Sequence, residues 1–438
     1  MAEASKRRVG RAFTAGLLAV GMVATATACA AGDTGDGGEP AEGGPVTISF
    51  QWWGNDERAV LTEEALDLFE EKNPGVTVET SFSAIDSYIP KLATQIASSS
   101  QPDLFLIPME SVKEYTEKGA TSDLSEYIGD VISVDDIPEA TQKIGQIDGT
   151  FYGFTLGTAT YGWAYDPIAF EEAGVDAPGA GFTWDDLVEA GEKIRAASGG
   201  AKAAITDPGG YIAHFATWLD QNDKILFTEQ GELGFDEGDL EEWFELMERL
   251  RESGASTDPQ TTSTLDQSMQ NSGFALGKSA GEFIAASITG AFVDTIGEEH
   301  VALAPLPSDT GRLGLNMAGT NVAAVSPESE HPEVAAQLLD FLINDPEAAE
   351  ILGLTRGIPL NTTNYEALAP TLSGGDKIVN DFVLEYQPEF SDPSPLAPPG
   401  VSTLPADFTL AYENIIFGQQ SNADAAEALY AAFESAIS

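Results

Sequence analysis

Between residues 46 and 108 the chain switches its apolar spacing from strand-like to helical and back, twice. "VTISF" (46–50), "VTVETSF" (76–82) and "PDLFLIP" (102–108) are short apolar or β-branched runs of strand length. The first gap holds Leu61, Ala65, Leu68 and Phe69 on one helical face and closes at "NPG". The second (88–98) carries Ile89, Leu92 and Ile96 in register. Strand, helix, strand, helix, strand spells βαβ units. Parallel strands joined in this way bury both sheet faces under helices. The expected fold class is therefore α/β with a largely parallel sheet.

The rest of the chain continues in kind. In "FYGFTLGTATYGWAYDPIAFEEAGV" an aromatic, strand-like run precedes a helix with Asp166 as N-cap, Pro167 as first helical residue and Gly174 as stop. Thr183-Trp184-Asp185-Asp186 opens another helix with a box-like cap. Helices are predicted over 184–198, 212–222 and 239–253. "HPEVAAQLLDFLIND" and "DPEAAEILG" start with proline in their first turns, and 424–437 carries Ala426, Leu429, Tyr430, Phe433 and Ile437 on one stripe. A chain of 438 residues that is 42% hydrophobic is too long for one core, so two or three domains or lobes are expected. No internal repeat of solenoid period is present.

The first residues read as an export signal. Lys6, Arg7, Arg8 and Arg11 form a basic start, residues 12–28 carry no charge, and small residues crowd the end. The one cysteine, Cys29, stands at that end. It cannot form an internal disulfide, and its place favours a modified anchor. Ala26-Thr27-Ala28-Cys29 resembles a bacterial lipoprotein signal, with Ala26 where leucine is usual. Ordinary cleavage after Ala28 is the alternative. The expected organisation is a signal peptide at 1–28, then a lipidated Cys29 and a flexible Gly/Asp/Glu tether to residue 45, with the mature protein held at the outer face of the cytoplasmic membrane.

Charge and residue usage exclude several classes of function. Lys+Arg number 20 against 71 Asp+Glu, a formal net charge of −51. Such a chain repels nucleic acid. Three histidines and one cysteine argue against a His- or Cys-ligated metal. No EF-hand loop, P-loop, G-x-S-x-G or H-E-x-x-H motif occurs. Neither cofactor nor metal is expected.

Several stretches, in order, resemble the carbohydrate-binding ABC-transporter extracellular solute-binding proteins, family 1, the group of the maltose-binding proteins. They are "VTISFQWWGN", "ATQIASSSQPDLFLIP", "DGTFYGFTLGTATYGWAYDPIAFEEAGV…FTWDDL", "FALGKSAGEF", "ALAPLPSDTGRLGLNMAGTNVAAVSPESEHPEVAAQLLDFLINDPEAAEIL" and "IIFGQQSNADAAEAL". The sequence departs from the family at Asp166-Pro167, where Asn-Lys is common. It also departs at Ser287 and near Pro405 and Ala406, where aromatics are common. The resemblance implies a two-lobe, periplasmic-binding-protein-like fold (type II) with a ligand cleft between the lobes. Residues 46–156 plus 300–346 would form one lobe, and 157–299 plus 347–438 the other. It further implies a monomer that closes on a mono- or oligosaccharide and delivers it to an ABC permease.

Sugars present flat C–H faces and rings of hydroxyls, so a site for them needs aromatic platforms beside Asp, Glu, Asn or Gln. "QWWGNDE" offers both at a strand's carboxyl end, where α/β sheets bind ligands. Trp52 or Trp53 is a candidate stacking residue, and Asn55 or Asp56 a candidate for hydroxyl bonds; alternation turns one tryptophan to the cleft. Glu110 follows the third strand at a loop where the resemblance implies a sugar-binding carboxylate. Thr158, Thr160 and Tyr161 lie at an expected crossover, Tyr211 and Trp218 flank a helix start in the second lobe, and "NMAGTN" places Asn316 and Gly319 at a second crossing. The competing readings are the same fold with another cargo (polyol phosphate, polyamine or peptide), a secreted glycoside hydrolase using paired carboxylates, and a passive adhesin.

Overall fold

A computed structural model describes residues 44–438, apart from positions 55, 266 and 267. The expected signal, Cys29, nearly all of the tether and Asn55 lie outside the described residues. The chain opens with strand β1 (Val46–Trp53), helix α1 (Asp56–Lys72), strand β2 (Val76–Ser83), helix α2 (Ile85–Ala97) and strand β3 (Leu104–Ile107). β1 pairs in parallel with β2 along its whole length, Val46 opposite Val76 and Trp53 opposite Ser83, and in parallel with β3 on its other side. Alternation turns Ile48, Phe50 and Trp52 to one face of β1, all of them buried. On the other face Gln51 exchanges amide hydrogen bonds with Gln95 of α2. The Tyr88 hydroxyl of α2 donates to the carbonyls of Gln51 and Leu106 and accepts from the Leu106 N–H at 3.1 Å. That hydroxyl ties α2 across two strands of the sheet.

The chain then crosses to a second core. Strand β4 (Thr158–Ala159) lies in the crossing, and β5 (Tyr161–Tyr165) enters the new sheet. Asp166 caps α3 (Pro167–Glu172), accepting from the N–H groups of Ile168 and Ala169. Thr183 and Asp186 form the capping box of α4 (Trp184–Ala197). Next come α5 (Ile212–Gln221), α6 (Glu237–Ser253), β6 (Gly281–Ala285) and β7 (Ala302–Ala304). Strand β5 is central, with β6 and β7 antiparallel on either side. This second sheet is therefore antiparallel, and the parallel arrangement is confined to the first.

A second crossing carries β8 (Ala318–Gly319), paired antiparallel with β4, into β9 (Val322–Val325), which joins the first sheet antiparallel to β3. The sheet order is β9-β3-β1-β2. Helices α7 (Pro332–Asn344) and α8 (Pro346–Leu352) pack on α1. A third crossing leads to α9 (Gly374–Tyr386), α10 (Leu404–Ile416) and α11 (Asn422–Ala436). α10 and α11 join the second core around Trp163, Trp184, Trp243, Phe215 and Phe408.

Two large cores result. The first gathers Phe50, Trp52, Phe105, Val322, Leu339, Ala348 and Leu360; the second gathers Trp163, Trp184, Phe283, Ala304, Leu306, Phe408 and Phe433. Lobe boundaries at 300 and 346 do not coincide with them. Ala302–Ala304 extends the second sheet, and Pro346–Leu352 packs with the first core, so the chain crosses after these elements rather than before. Strand pairing and packing decide on which side an element falls, and chain-local patterning does not carry that information.

Candidate functional site

The three crossings run side by side. Thr158 and Ile358 exchange backbone hydrogen bonds at 2.9 and 2.7 Å, while Ala159 and Thr158 face Ala318 and Gly319. The Thr320 hydroxyl donates to the carbonyls of Gly157 and Arg356 at 3.2 and 3.1 Å. A Cβ on Gly157 would lie 2.3 Å from the Arg356 oxygen. One on Gly319 would lie 2.6 Å from Ile144 and 3.1 Å from the Met109 sulfur. Gly157 therefore serves close backbone approach, and Gly319 close packing under side chains, at a narrow junction. β1 and β3 end at this junction and β9 begins there, opposite the end of β3.

The carboxyl end of the first sheet presents Trp53, Asp56 and Glu110. Trp53 is half-buried, its ring 5.2 Å from that of Tyr88. Trp52 turns the other way. It is fully buried, 4.9 Å from Phe50 and 5.9 Å from Phe82, with the Arg356 guanidinium over its ring. Alternation along β1 thus leaves Trp53 as the tryptophan near the surface. Asp56 is exposed at the start of α1, and Glu110 is exposed in the turn after β3. That turn lies against the turn at Val401–Thr403, which belongs to the second core.

The second core answers with an aromatic cluster. Tyr161 is half-buried and stacks on Phe283 at 5.6 Å; His214 meets Tyr161 edge-on at 6.1 Å, and Tyr211 lies 5.0 Å from His214. Burial and then the negative charge of Glu110 push the Tyr161 phenol above its ordinary range. Glu110 and Tyr161 therefore bring the two cores within electrostatic reach of each other. His214 is buried, with Nδ1 2.9 Å from the Pro208 carbonyl. Burial pushes its pKa down to about 4, so the ring is neutral at pH 7.

Tyr211 sits at the end of a fixed shelf. The Asp207 carboxylate accepts from the Gly209 N–H at 3.0 Å and from the Tyr412 hydroxyl at 2.6 Å, with Arg251 3.5 Å away. Trp243 Nε1 donates to the Gly209 carbonyl and Thr409 to that of Gly210. Gly209 lies flat on the Tyr412 ring, where a Cβ would come within 2.1 Å of it. This buried backbone is thus held by side chains from α6 and α10.

The remaining candidates fall elsewhere. Trp218 is buried in the second core, 6.0 Å from both Phe215 and Trp243. Thr158 and Thr160 are buried, and their hydroxyls donate to the Ile358 and Tyr161 carbonyls. Asn316 bridges to Ser391 beside the second crossing. A cavity of about 10 Å³ bounded by Thr158, Thr160, Ser287 and Ile358 is the size of a single water. Sequence reasoning missed Phe283 and His214. Phe283 sits in "GEFIA", whose strand alternation carries the signal once that run is paired with β5; His214 gives no local signal. Among the described residues no cluster of His, Cys, Asp and Glu is placed to hold a metal. Nor is any helix there long and apolar enough to cross a membrane.

A family model described as bacterial extracellular solute-binding protein matches residues 53–349. A curated binding protein of Brucella abortus (strain 2308) is 25% identical over 305 residues, covering 68% of this chain and 72% of the relative. The solved periplasmic oligogalacturonide binding protein of Yersinia enterocolitica, in complex with saturated digalacturonic acid, is similar with a TM-score of 0.77 at 19% identity, over 90% of this chain and 100% of that one. An ABC substrate-binding protein of Listeria monocytogenes, in complex with cycloalternan, gives 0.75 at 20% identity, over 89% and 98%.

Proposed function

The chain belongs to the bacterial extracellular solute-binding protein family and has the two-lobe, type II fold of the periplasmic binding proteins, and from that premise we propose that it is a sugar receptor for an ABC permease. The two cores act as lobes, and the three adjacent crossings act as the hinge. A mono- or oligosaccharide enters between them, stacks on Tyr161 and Trp53, and has its hydroxyls bound by Glu110 and Asp56, with Tyr211 bordering the site. The observation that carries this reading is the Tyr161–Phe283 stack facing Glu110 beside the hinge. An aromatic face next to a carboxylate is what a ring of hydroxyls on a C–H face requires. The oligosaccharides bound by the Yersinia and Listeria proteins support a carbohydrate cargo.

The receptor binds without catalysis and works as a monomer. Lipidated Cys29 holds it at the outer face of the membrane, near its permease, and so raises their effective concentration. A thermal-shift screen across mono- and oligosaccharides tests the cargo. A raised melting temperature with at least one sugar is expected. Tyr161→Ala and Trp53→Ala are expected to weaken that binding by at least about tenfold, the size of one lost aromatic contact. A shift with amines and none with any sugar overturns the reading. New reducing ends on incubation with oligosaccharides would overturn the absence of catalysis.

A further inference from the structure

Between α9 and α10 runs the stretch "SDPSPLAPPG" (391–400), with four prolines in ten residues. Each proline fixes its own φ near about −65° and holds the residue before it extended, so the stretch is a stiff arm rather than a slack loop. Both of its ends are fixed in the second lobe. At the first, the Ser391 N–H donates to the Leu315 carbonyl at 2.8 Å, and the Ser391 hydroxyl donates to Asp220 of α5 at 3.1 Å. Arg312 holds the same carboxylate at 2.6 Å. At the other end, Ala397 packs on the second core and Val401 is buried in it. Gly400, with φ of +95°, passes so close to α11 that a Cβ there would lie 2.5 Å from the Ala436 oxygen. Between these ends Leu396, half-buried, packs against the first core. Consecutive residues of one stiff arm, Leu396 and Ala397, therefore touch different lobes.

The three crossings are the covalent joint between the lobes, and the arm is not one of them. It leaves the second lobe and returns to it. Its contact with the first lobe is consequently made or broken as the lobes move, whereas a crossing only bends. The lobes also meet just beyond the arm, where the turn at Val401–Thr403 lies against the turn that carries Glu110. Removing part of a leucine from water favours the arrangement in which the first lobe covers it. The prolines leave the arm little freedom to lose on docking, and little freedom to follow the first lobe when the lobes part. Half-burial of one side chain gives a bias toward closure, not a lock.

We propose that residues 391–400 form a strap of the second lobe that latches onto the first through Leu396, and so favours the closed form before any sugar is bound. Apparent affinity scales with the fraction of protein in the competent form, so the strap sets affinity without touching the ligand. The inference rests on the closing-receptor reading but not on the identity of the cargo.

The test measures the distance between spin labels on the mature chain carrying Cys29→Ser, with Glu64→Cys on α1 and Glu245→Cys on α6. Both labelled positions are exposed, and no ligand is added. With the strap unaltered, two distances are expected, one for each form. Leu396→Ser is expected to lower the closed-to-open ratio about fivefold, as the loss of roughly half a buried leucine would. Leu396→Met, which keeps the apolar contact, should stay within about twofold. Pro393→Gly combined with Pro395→Gly leaves Leu396 in place and slackens the arm. It should lower the ratio in the same direction, and it covers the case in which Leu396→Ser fails to fold. A single distance with the strap unaltered, or a ratio that neither Leu396→Ser nor the glycine pair moves, overturns the strap and leaves the cargo reading standing. A thermal-shift screen in which no saccharide binds overturns the cargo reading and does not enter the distances.

Discussion

His214 joins the proposed binding face to the stability of the second lobe. Its ring packs between Tyr211, Tyr161 and Phe283, and burial holds its pKa at about 4 against an unfolded value of 6.5. The unfolded chain therefore takes up the proton more readily than the folded one. The neutral ring's contribution is fully present above about pH 6.5 and is lost as pH falls toward 4. Between pH 7 and 4.5 the loss is roughly 2–3 kcal/mol, from about 1.4 kcal/mol per unit of pKa. Urea melts at both pH values, compared with His214→Gln, should show a wild-type slope steeper by that amount; parallel slopes would mean the ring is not buried as a neutral group. At this scale the sequence was only partly legible. Alternation on β1 requires the adjacent tryptophans to face opposite ways, but their assignment comes from Phe82 and Arg356, 30 and 304 positions away from Trp52. His214 left no local trace because its partners arrive from β5, β6 and the Asp207–Tyr211 shelf.

Elements were easier to read than the joints between them. Helices predicted over 184–198 and 212–222 appear as Trp184–Ala197 and Ile212–Gln221; caps and apolar periodicity are local signals. The shelf that positions Tyr211 is a different kind of object. It is neither helix nor strand, and four residues from 34 to 205 positions away hold it: Trp243, Thr409, Tyr412 and, less closely, Arg251. A methyl group on Gly209 has nowhere to go, because the ring beneath it is clamped by Asp207 and Arg251. Gly209→Ala is therefore expected to lift the shelf, cost about 1–3 kcal/mol as an overpacked core position does, and weaken sugar binding through displaced Tyr211. Tyr412→Phe keeps the ring and removes the hydroxyl's two hydrogen bonds, the one it donates to Asp207 and the one it accepts from Arg251, costing a similar amount while leaving affinity nearly unchanged. Equal affinity losses in the two variants would show that the shelf does not position the site.

At the scale of the whole molecule the question is what the three adjacent crossings permit. Strand and helix order foretold α/β, and the run of family-like stretches foretold two lobes. Neither could reveal that crossings about 160 and 200 positions apart are hydrogen-bonded side by side, since pairing register between distant segments is not written locally. Such a bundle bends only where backbone torsions are free to change. Gly357 has φ of +104°, and a Cβ there would lie 2.5 Å from the Thr158 oxygen. Gly357→Ala both strains that torsion and wedges the third crossing from the first. A cost of about 1–3 kcal/mol in stability is expected. Because ligand shifts the open–closed balance only by its differential affinity, any strain that the closed form feels more than the open form appears directly as weaker binding. Small-angle scattering with and without saturating sugar gives the deciding measurement. Wild type should contract on binding, and Gly357→Ala should contract less at equal saturation. A wild-type radius that sugar leaves unchanged would mean the crossings are a fixed brace, and that recognition occurs without closure.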